Sequence, residues 1–460
     1  MPTRRELLAT FGLLGAAAAT GCVPPPTPAT DDRTPDPTED WPGGGQVDDA
    51  QFPAGVSCGD PLPDALLLWT LYTGEATLQV VVARWEGGAW VEEDPVDVEV
   101  ADTGHVHHDL RDRAADAPLA FQFVDADGHR SPVGTGRTAM AEDATGVVRL
   151  GATSCTDQVH VGFPNVADTA ARGPLDFWAW LGDFAYFDSE VTPEDFQALW
   201  TQNLSDPGLR AVLAHTASIF TWDDHEVGNN WSNDTDYDPQ RVAIGRAAFF
   251  ANTPLRPEVP DRIWRRLRFG TTAEVIVLDC RSERDPVAGR YMSEAQLSWL
   301  IDTLQGSPCT WKVVLNSVPF ANLPGPYDTD ISRMDRWGGY PADRQRVEDA
   351  IAQADLSGVL FVSGDIHHPA IFRVEPTGRL AQVLDIACGP GGHRRSPFAT
   401  SVAGLPGVVW TQYCWSSTRL HLYPQGIAKV HVIGDDDQDW LVAWVDTHGR
   451  VYDLDALPLD

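Results

Sequence analysis

The stretch TWDDHEVGNNW, residues 221–231, follows directly on the mostly apolar segment AHTASIF. Trp222 is the second residue of the stretch and Trp231 is the last, which is unusual for a solvated loop. Its other side chains offer many oxygen and nitrogen ligands; they are Asp223, Asp224, His225, Glu226, Asn229 and Asn230. We therefore interpret ASIFTW, residues 217–222, as a buried strand and the polar residues after it as part of a functional site.

Polar residues also follow four other apolar runs. The groups are Gly182-Asp183-Phe184-Ala185-Tyr186 after FWAWL, Asp279-Cys280-Arg281 after AEVIVL, Asn316-Ser317 after WKVVL, and Gly364-Asp365-Ile366-His367-His368 after GVLFVS. Helical segments with start signals lie between the runs, including Thr192-Pro193 and a capping box over residues 293–296. This alternation predicts an α/β domain over residues 143–460 with a largely buried sheet. Loops at the carboxyl ends of its strands should converge on one crevice.

The residues expected in that crevice favour a metal centre. Several carboxylates in one place repel each other unless they are protonated or bridged by cations. Two metal ions that share one aspartate would remove the repulsion and form a hydrolytic centre. Taken singly, each Gly-Asp is typical of a turn, and Arg281 could simply pair with Asp285. The ordered combination of all these groups behind buried strands favours the metal site.

Three groups, in their order along the chain, resemble the motifs of the calcineurin-like metallophosphoesterases. They are Gly182-Asp183, Asp224-His225-Glu226 and Gly364-Asp365-x-His367. The chain departs from their usual pattern, since no Asp-x-His opens the domain and Asp224 and Asp365 replace an Asn and a His. These departures resemble the alkaline phosphatase D (PhoD-like) branch. Four further stretches are similar to that branch: SCTD at residues 154–157, WDDHEVGNNW, LDCRSER at 278–284 and FPAGVSCGDPLPDALLLWT at 52–70.

The resemblance implies a four-layer α/β/β/α metallophosphatase-like sandwich and a metal-dependent phosphoric ester hydrolase. It implies one Fe(III) held by Cys155, Asp183, Tyr186 and His367. One or two Ca(II) ions would share Asp183 and use Asp224, Asn230 and Asp365, while Asp223 is either a ligand or holds one. Thiolate and phenolate suit Fe(III), and carboxylate and amide oxygens suit calcium.

The same resemblance assigns roles around the reacting phosphate. His225 would contact the phosphate or the leaving group, and Arg281 would bind the phosphate as a catalytic residue. Arg284 and Asn229 would bind substrate. Phosphodiesters, phosphomonoesters or both would be hydrolysed by metal-activated hydroxide. Phe187 stands where members of the family often carry Glu after the Tyr.

Residues 50–142 differ in pattern from the rest of the chain. Short alternating runs such as LQVVVARW and LAFQFVDADG predict a small all-β, immunoglobulin-like sandwich. The HVHH segment at residues 105–108 is either an adventitious metal site or, as we prefer, a solvated strand edge. The Gly-rich run CGPGGHRRSPF, residues 388–398, is a lid or substrate loop, with Arg394 and Arg395 suited to an anion, or a flexible surface loop.

The N-terminus is typical of an export signal. Arg4-Arg5 is a twin-arginine pattern, and the apolar run that follows is too short to span a membrane. The run ends in Ala19-Thr20-Gly21-Cys22, so residues 1–22 predict a lipoprotein signal peptide with Cys22 as the lipidation site; an ordinary cleaved signal is the alternative. Proline-rich residues 23–49 predict a disordered tether, and the product is expected in the periplasm or on the cell surface.

Charge and cysteine content limit the choice of partners. The net charge is -33 in 460 residues, which argues against nucleic acid and anionic lipid as partners and leaves a lipid anchor as the expected membrane contact. We expect a monomer that acts on a small or polymeric phosphoester. The alternatives are a phosphodiesterase directed at phospholipid or wall polymer, and a catalytically degenerate binding lipoprotein. Export permits disulfides among the seven cysteines, but their spacing does not give the pairing.

Overall fold

The computed structural model describes residues 37, 39–157, 163, 165–232, 238–323, 325–327, 334–434 and 438–452. The predicted signal peptide, including Cys22, lies outside these residues. Among the helices of the described ranges, none has the length and apolar character needed to cross a membrane.

The chain first forms eight strands. They are β1 (Val56–Leu62), β2 (Ala65–Leu71), β3 (Leu78–Glu86), β4 (Ala89–Glu92), β5 (Val96–Asp97), β6 (His105–Leu110), β7 (Pro118–Asp125) and β8 (Gly134–Arg137). Strands and helices then alternate, as the sequence predicts. The elements are β9 (Val148–Thr153), α1 (Val166–Ala171), β10 (Phe177–Leu181), α2 (Pro193–Leu204), α3 (Pro207–His215), β11 (Ser218–Thr221), α4 (Pro239–Asn252), β12 (Arg265–Phe269), β13 (Ala273–Val277), α5 (Glu294–Gly306), β14 (Trp311–Asn316), α6 (Pro341–Gln353), β15 (Val359–Ser363), β16 (Ala370–Arg373), β17 (Leu384–Ala387), α7 (Phe398–Val402), β18 (Val408–Thr411), β19 (Ser416–Tyr423), β20 (Ile427–Gly434), β21 (Gln438–Asp446) and β22 (Val451–Tyr452). Short 3-10 turns occur at Gly325–Tyr327, Trp337–Gly339 and Arg379–Gln382.

The described strands form three sheets. The largest has ten strands in the order β22-β21-β20-β19-β9-β10-β11-β1-β2-β6, and the second has seven in the order β12-β13-β14-β15-β17-β16-β18. A third sheet has the order β4-β3-β7-β8, with β5 paired to β3. Strands β9, β10 and β11 run parallel to one another, as do β13, β14 and β15, so each large sheet has one edge where several carboxyl ends meet.

The alternation of side chains along β10 shows how the layers pack. Phe177, Ala179 and Leu181 lie in an apolar core shared by the two large sheets. Trp178 and Trp180 point the other way and pack with apolar residues of α2, α3 and α4. On the second sheet, residues of β13, β14 and β15 pack in the same manner against α5 and α6. Each large sheet is therefore covered on its outer face by helices.

Helix starts follow the sequence signals in one case and depart from them in another. Thr192 caps α2 and forms the reciprocal capping box with Asp195. Ser293 caps α5 by accepting from the N–H of Gln296, but the predicted box is not completed. The Gln296 side chain instead bonds to the main chain of Asp279, because it is buried beside that loop.

The N-terminal part is joined to the large sheet rather than standing apart. Strand β1 pairs in parallel with β11, with Gly59 opposite Ser218. Strands β2 and β6 continue the same sheet, while β3, β4, β5, β7 and β8 form the third one. The predicted boundary between residues 142 and 143 falls between β8 and β9 and stays a prediction, but the sheet crosses it.

Part of the predicted tether is packed. Trp41 is 7% exposed and lies against Val81 and Ala83 of β3, so the prediction of disorder up to residue 49 is corrected at its C-terminal end. The Pro and Gly content of residues 23–49 predicts disorder, and it outweighed the one large apolar side chain, Trp41, in that prediction. Strand β6 lies at the sheet edge as predicted, but His105 is buried rather than solvated. Its Nε2 is 3.2 Å from Asn252 Oδ1, and the His107 Nε2 is 3.0 Å from the Thr253 carbonyl.

The cysteines of the described residues do not form disulfides. They are Cys58, Cys155, Cys280, Cys309, Cys388 and Cys414, and all are buried thiols. The exported location expected from the sequence would permit disulfides, but this fold brings no two of these thiols into one.

Candidate metal centre

Five residues predicted to bind metal lie at carboxyl ends of the parallel strands in an unusual backbone conformation. Their φ angles are positive although none is glycine; they are Cys155 (54°), Asp183 (54°), Asn230 (56°), Asp365 (66°) and His367 (57°). Positive φ costs free energy for a residue with a side chain, and such strain concentrates at functional sites. The turns after β9, β10, β11 and β15 therefore hold ligand side chains in directions that ordinary loops avoid.

Two groups of possible ligand atoms lie close together. Cys155, Asp183 and His367 form one group, and Asp183, Asp224 and His225 form the other. Within each group the ligand atoms lie within 4.8 Å of one another. Asp183 belongs to both groups, which is the arrangement that the sequence predicts for an aspartate shared by two metal ions.

Tyr186 completes the first group. Its hydroxyl is 3.4 Å from Asp183 Oδ2 and 3.4 Å from His367 Nε2. The ring lies between two imidazoles, with its centroid 4.1 Å from that of His225 and 4.0 Å from that of His393. The four residues predicted to hold iron thus converge on one place.

The orientation of His367 is fixed by the loop after β17. Its Nδ1 is 2.7 Å from the Arg394 carbonyl, so Nδ1–H donates and Nε2 keeps its lone pair. Nε2 is the nitrogen that faces Tyr186. This is the tautomer that a metal-binding histidine needs, with the second nitrogen held by a carbonyl.

Residues predicted to bind calcium line the same cavity, whose volume is about 410 Å³. Its lining residues are Asp183, Tyr186, Asp188, Asp224, His225, Asn229, Asn230, Asp365, His367, His393 and Arg394. Asp224 Oδ2 accepts a bond of 2.5 Å from the Asn230 N–H, and Asp365 Oδ2 accepts a bond of 2.8 Å from Arg336 Nε.

The charges of the site fit bound cations. Burial, then repulsion from Asp224, raises the pKa of Asp183 well above its usual range. Burial, then Asp183, does the same to the thiol pKa of Cys155. Buried anions that disfavour each other are stabilised by a metal ion between them, and thiolate, phenolate, imidazole and carboxylate are all good ligands when deprotonated. The donor set therefore fits metal ions.

The buried side chain of Glu226 connects two of the turns that carry proposed ligands. It is fully buried, and its carboxylate accepts from the N–H groups of Asp183, Phe184 and Asp223 at 3.2, 2.8 and 2.9 Å. The turn after β10 is thereby tied to the turn after β11. The sequence placed Glu226 among the polar residues without assigning it this role.

His225 and Asn229, which the sequence predicts at the phosphate, both line the cavity. His225 Nδ1 is 2.8 Å from Asp188 Oδ1, an oxygen that also accepts from the Asn229 N–H. Burial lowers the pKa of His225, but the carboxylates of Asp224, Asp183 and Asp188 together raise it to about 10. Asp188 was not predicted, although it follows Tyr186 by two residues.

Arg281 does not fit the predicted contact with phosphate. It is fully buried, its Nε donates to Asp223 Oδ1 at 2.6 Å, and its Nη1 donates to Asp335 Oδ1 at 2.5 Å. Its Nη2 lies 3.4 Å from Asp224 Oδ1. Arg281 lies behind the cavity because three carboxylates hold it there, so its role is to orient acidic residues.

The other predicted substrate residue of that motif is also displaced from the cavity. Arg284 is 1% exposed and donates to Asp335 Oδ1 at 3.1 Å and to the Cys280 carbonyl at 3.0 Å. Asp223, for which two roles were open, is 1% exposed and accepts from Arg281 and from Ser317 Oγ through Oδ1. This geometry favours a supporting role for Asp223 over a place in the cavity wall.

Comparison with solved structures shows where this fold is found. A structure of PhoD superposes with a TM-score of 0.76 at 21% identity and covers 89% of this chain and 93% of that one. The purple acid phosphatase PPD1 from yellow lupin (Lupinus luteus) seeds superposes with a TM-score of 0.65 at 12% identity and covers 87% and 74%. This chain therefore shares a mixed α/β fold with both of these proteins.

Sequence comparison places the chain in a family. Residues 150–391 match the PhoD-like phosphatase family, and residues 39–140 match its N-terminal domain. This chain belongs to the PhoD-like phosphatase family, as its motifs predict. Alkaline phosphatase D of Bacillus subtilis (strain 168) is 28% identical over an alignment of 375 residues that covers 69% of this chain. The chain matches 64% of the length of that relative.

Proposed function

We propose that this chain is a metal-dependent phosphoric ester hydrolase that acts on phosphodiesters, phosphomonoesters or both. The observation that carries the proposal is the position of Asp183 in two adjoining groups of metal-ligand side chains. Hydrolytic centres with two metal ions are built around such a shared ligand. Membership of the PhoD-like phosphatase family supports the same reaction class.

We propose the ligand sets that the sequence predicts. Cys155, Asp183, Tyr186 and His367 would hold Fe(III); Asp183, Asp224, Asn230 and Asp365 would hold one or two Ca(II). The thiol of Cys155 occurs in only one of the two groups that share Asp183, and this difference in donors supports two kinds of ion. When bound, the ions supply Lewis-acid activation of water and of the phosphoryl group. The donor grouping agrees with a four-layer α/β/β/α arrangement in which both sheets contribute ligands.

His225 supplies the proton for the leaving oxygen. Its ring lies at the cavity wall, and Asp188 holds Nδ1, so Nε2 is the nitrogen available to the substrate. The Asp188 carboxylate beside Nδ1 favours the protonated imidazole, which can donate from Nε2. Asn229 lies beside it on the same wall and can donate to a phosphoryl oxygen.

The first test compares hydrolysis of bis(p-nitrophenyl) phosphate and p-nitrophenyl phosphate by the exported protein, with and without a calcium chelator. Turnover that the chelator abolishes supports the proposal, and Asp183→Asn should abolish turnover of both esters. Full activity in Asp183→Asn would contradict the shared-ligand site. A wild-type protein that contains iron and calcium but hydrolyses neither ester would instead favour the binding lipoprotein or a substrate such as phospholipid or wall polymer.

We also propose that the protein is exported by the twin-arginine pathway and anchored through lipid on Cys22, as a monomer. The twin arginines and the ATGC sequence support this, although they lie outside the described residues. Labelling with a radioactive fatty acid tests it. Incorporation that Cys22→Ser abolishes supports the anchor, and incorporation that persists in Cys22→Ser contradicts it. The acidic composition argues against nucleic acid as a partner.

A further inference from the structure

The loop over residues 388–398 is anchored to the metal centre through its main chain. The Gly391 N–H donates to the Ser154 carbonyl at 2.9 Å, and the His393 N–H donates to the Cys155 carbonyl at 3.0 Å. The Arg394 carbonyl accepts from His367 Nδ1 at 2.7 Å. The main chain of Arg394 is therefore fixed next to two of the proposed metal ligands, and the loop is part of the site rather than a separate surface feature.

Arg394 is exposed and belongs to the lining of the cavity that the proposed metal ligands share. The other charged groups of this wall are mostly carboxylates, among them Asp183, Asp188, Asp224 and Asp365. Within the ranges that the structure describes, the guanidinium of Arg394 has no ion-pair partner. An arginine at the mouth of a catalytic cavity that is not neutralised by a neighbour is available to an anionic ligand.

The remaining arginines around the centre are already engaged. Their partners are Asp223 and Asp335 for Arg281, Asp335 for Arg284, Asp365 for Arg336, and the rings of Tyr413 and Trp415 for Arg395. Arg395, the neighbour of Arg394, lies 4.6 and 4.3 Å from those two ring centroids. The two adjacent arginines therefore have different roles: Arg395 fixes the loop to the body of the protein, and Arg394 is left for the ligand.

We propose that Arg394 binds the phosphoryl oxygens of the substrate, in the role that the sequence motif suggested for Arg281. This inference rests on the proposed function. A guanidinium can donate two parallel hydrogen bonds to a phosphate, which a single ammonium cannot match. Because the main chain of Arg394 is tied to His367, the clamp and the metal centre share one support.

The experiment uses the metal-loaded full-length enzyme with Arg394→Ala, Arg394→Lys and the control Arg379→Ala. Arg379 is exposed and donates to the Ala352 carbonyl far from the cavity, so its variant removes the same charge elsewhere. Calorimetry gives the Kd of inorganic phosphate. Kinetics with bis(p-nitrophenyl) phosphate give KM and kcat, and elemental analysis gives iron and calcium content.

We expect Arg394→Ala to raise the Kd of phosphate and the KM by about 10- to 100-fold, the effect of losing a charged hydrogen-bonding group. Arg394→Lys should recover part of this, metal content should stay unchanged, and Arg379→Ala should behave like the wild type. Unchanged Kd and KM in Arg394→Ala would overturn the inference, as would weaker binding explained by loss of metal. Arg394-dependent phosphate binding in an enzyme that hydrolyses no ester would support Arg394 while refuting the proposed hydrolase.

Discussion

At the scale of single residues, the most informative contact is the one between His225 and Asp188. A general acid works only if one nitrogen faces the leaving group while the other is held. Asp188 holds Nδ1 of His225 at 2.8 Å and also accepts from the Asn229 N–H at 3.2 Å. One carboxylate therefore orders two of the residues that we place at the substrate.

We predict that Asp188→Ala lowers kcat by about 10- to 100-fold, because the imidazole loses its orienting partner and the general-acid contribution is of this size or larger. KM and metal content should change little, since Asp188 is not among the proposed ligands. Glu190→Gln is the matched control, because Glu190 lies in the same loop and bonds to Ser189. Steady-state kinetics of the two variants make the comparison, and equal kcat values in both would refute the role of Asp188.

The sequence predicted the position of the proposed ligands better than it predicted the position of the arginines. Cys155, Asp183 and His367 follow apolar strands directly, so their position at a strand end is encoded locally. The direction of Arg281 depends instead on Asp335, which lies 54 residues away. A motif fixes where a residue enters the sheet edge, but a distant counter-charge decides whether its side chain faces the cavity or the interior.

At the scale of secondary-structure elements, the turns after β10 and β11 act as one unit through Glu226. Its buried carboxylate bonds to three N–H groups, two of them on loop residues next to ligand positions. Removal of the carboxylate would leave these donors unsatisfied in the interior, which costs more than the bonds contribute.

We therefore expect Glu226→Ala to destabilise the protein by about 2–4 kcal/mol, from charged hydrogen bonds lost and donors left buried. Metal content should fall as well, because the turn that carries Asp183 loses its support. Chemical denaturation and elemental analysis measure the two effects. Glu194→Gln, an exposed acid in the first turn of α2, is the control and should change neither. Wild-type stability and metal content in Glu226→Ala would contradict this account.

Strand β19 carries a histidine surrounded by cations. His421 lies opposite Arg149 of β9 and Lys429 of β20, and Arg419 and His431 are also close. Burial, then repulsion from Arg419 and Arg149, lowers the pKa of His421 to about 3. In the unfolded chain the imidazole titrates near pH 6.5. Between these values the unfolded state binds a proton that the folded state does not, so stability falls as the pH falls.

We predict that His421→Gln reduces the loss of thermal stability between pH 7 and pH 4. The Tm at pH 4 should lie about 2–4 °C above that of the wild type, the shift for roughly 1 kcal/mol in a large domain. Differential scanning calorimetry at both pH values measures it. The exposed His448 gives the control His448→Gln, which should follow the wild type. A variant of His421 with the wild-type pH dependence would refute the assignment.

At the scale of the whole molecule, the ten-stranded sheet joins the two family segments into one structure. The pairing of β1 with β11 could not be predicted from the sequence, because both strands are short and mixed in composition, and nothing in their pattern specifies a partner. Local patterns gave the strands of residues 50–142 correctly, whereas the choice of neighbour depends on contacts more than 150 residues apart.

It follows that residues 143–460 should not form a stable protein alone. Removal of the N-terminal part would expose β11 as a sheet edge and uncover apolar residues of the shared core that remain in the fragment, such as Ala217 and Ile219. We expect this fragment to be insoluble or to lack a cooperative unfolding transition, while residues 37–460 fold. Calorimetry and size-exclusion chromatography distinguish these outcomes, and a folded, metal-loaded fragment would contradict the argument.

A buried ion pair fixes the same junction. Arg265 of β12 donates to Asp60 of β1 through Nε at 2.7 Å and Nη2 at 2.6 Å, and both residues are 2% or less exposed. Loss of one partner leaves the other charge buried without compensation, so we expect Arg265→Met to destabilise the protein by about 3–5 kcal/mol. Arg268→Met, on the same strand and paired with the 71% exposed Glu142, is the control and should cost much less. Pairing Arg265→Met with Asp60→Asn should restore part of the stability, because Asn carries no charge, tolerates the positive φ of 43° at this position and can still accept from the Arg256 N–H. A double variant as unstable as Arg265→Met alone would show that the junction depends on the other bonds of Arg265, to the Phe220 and Ile263 carbonyls, and not on the ion pair.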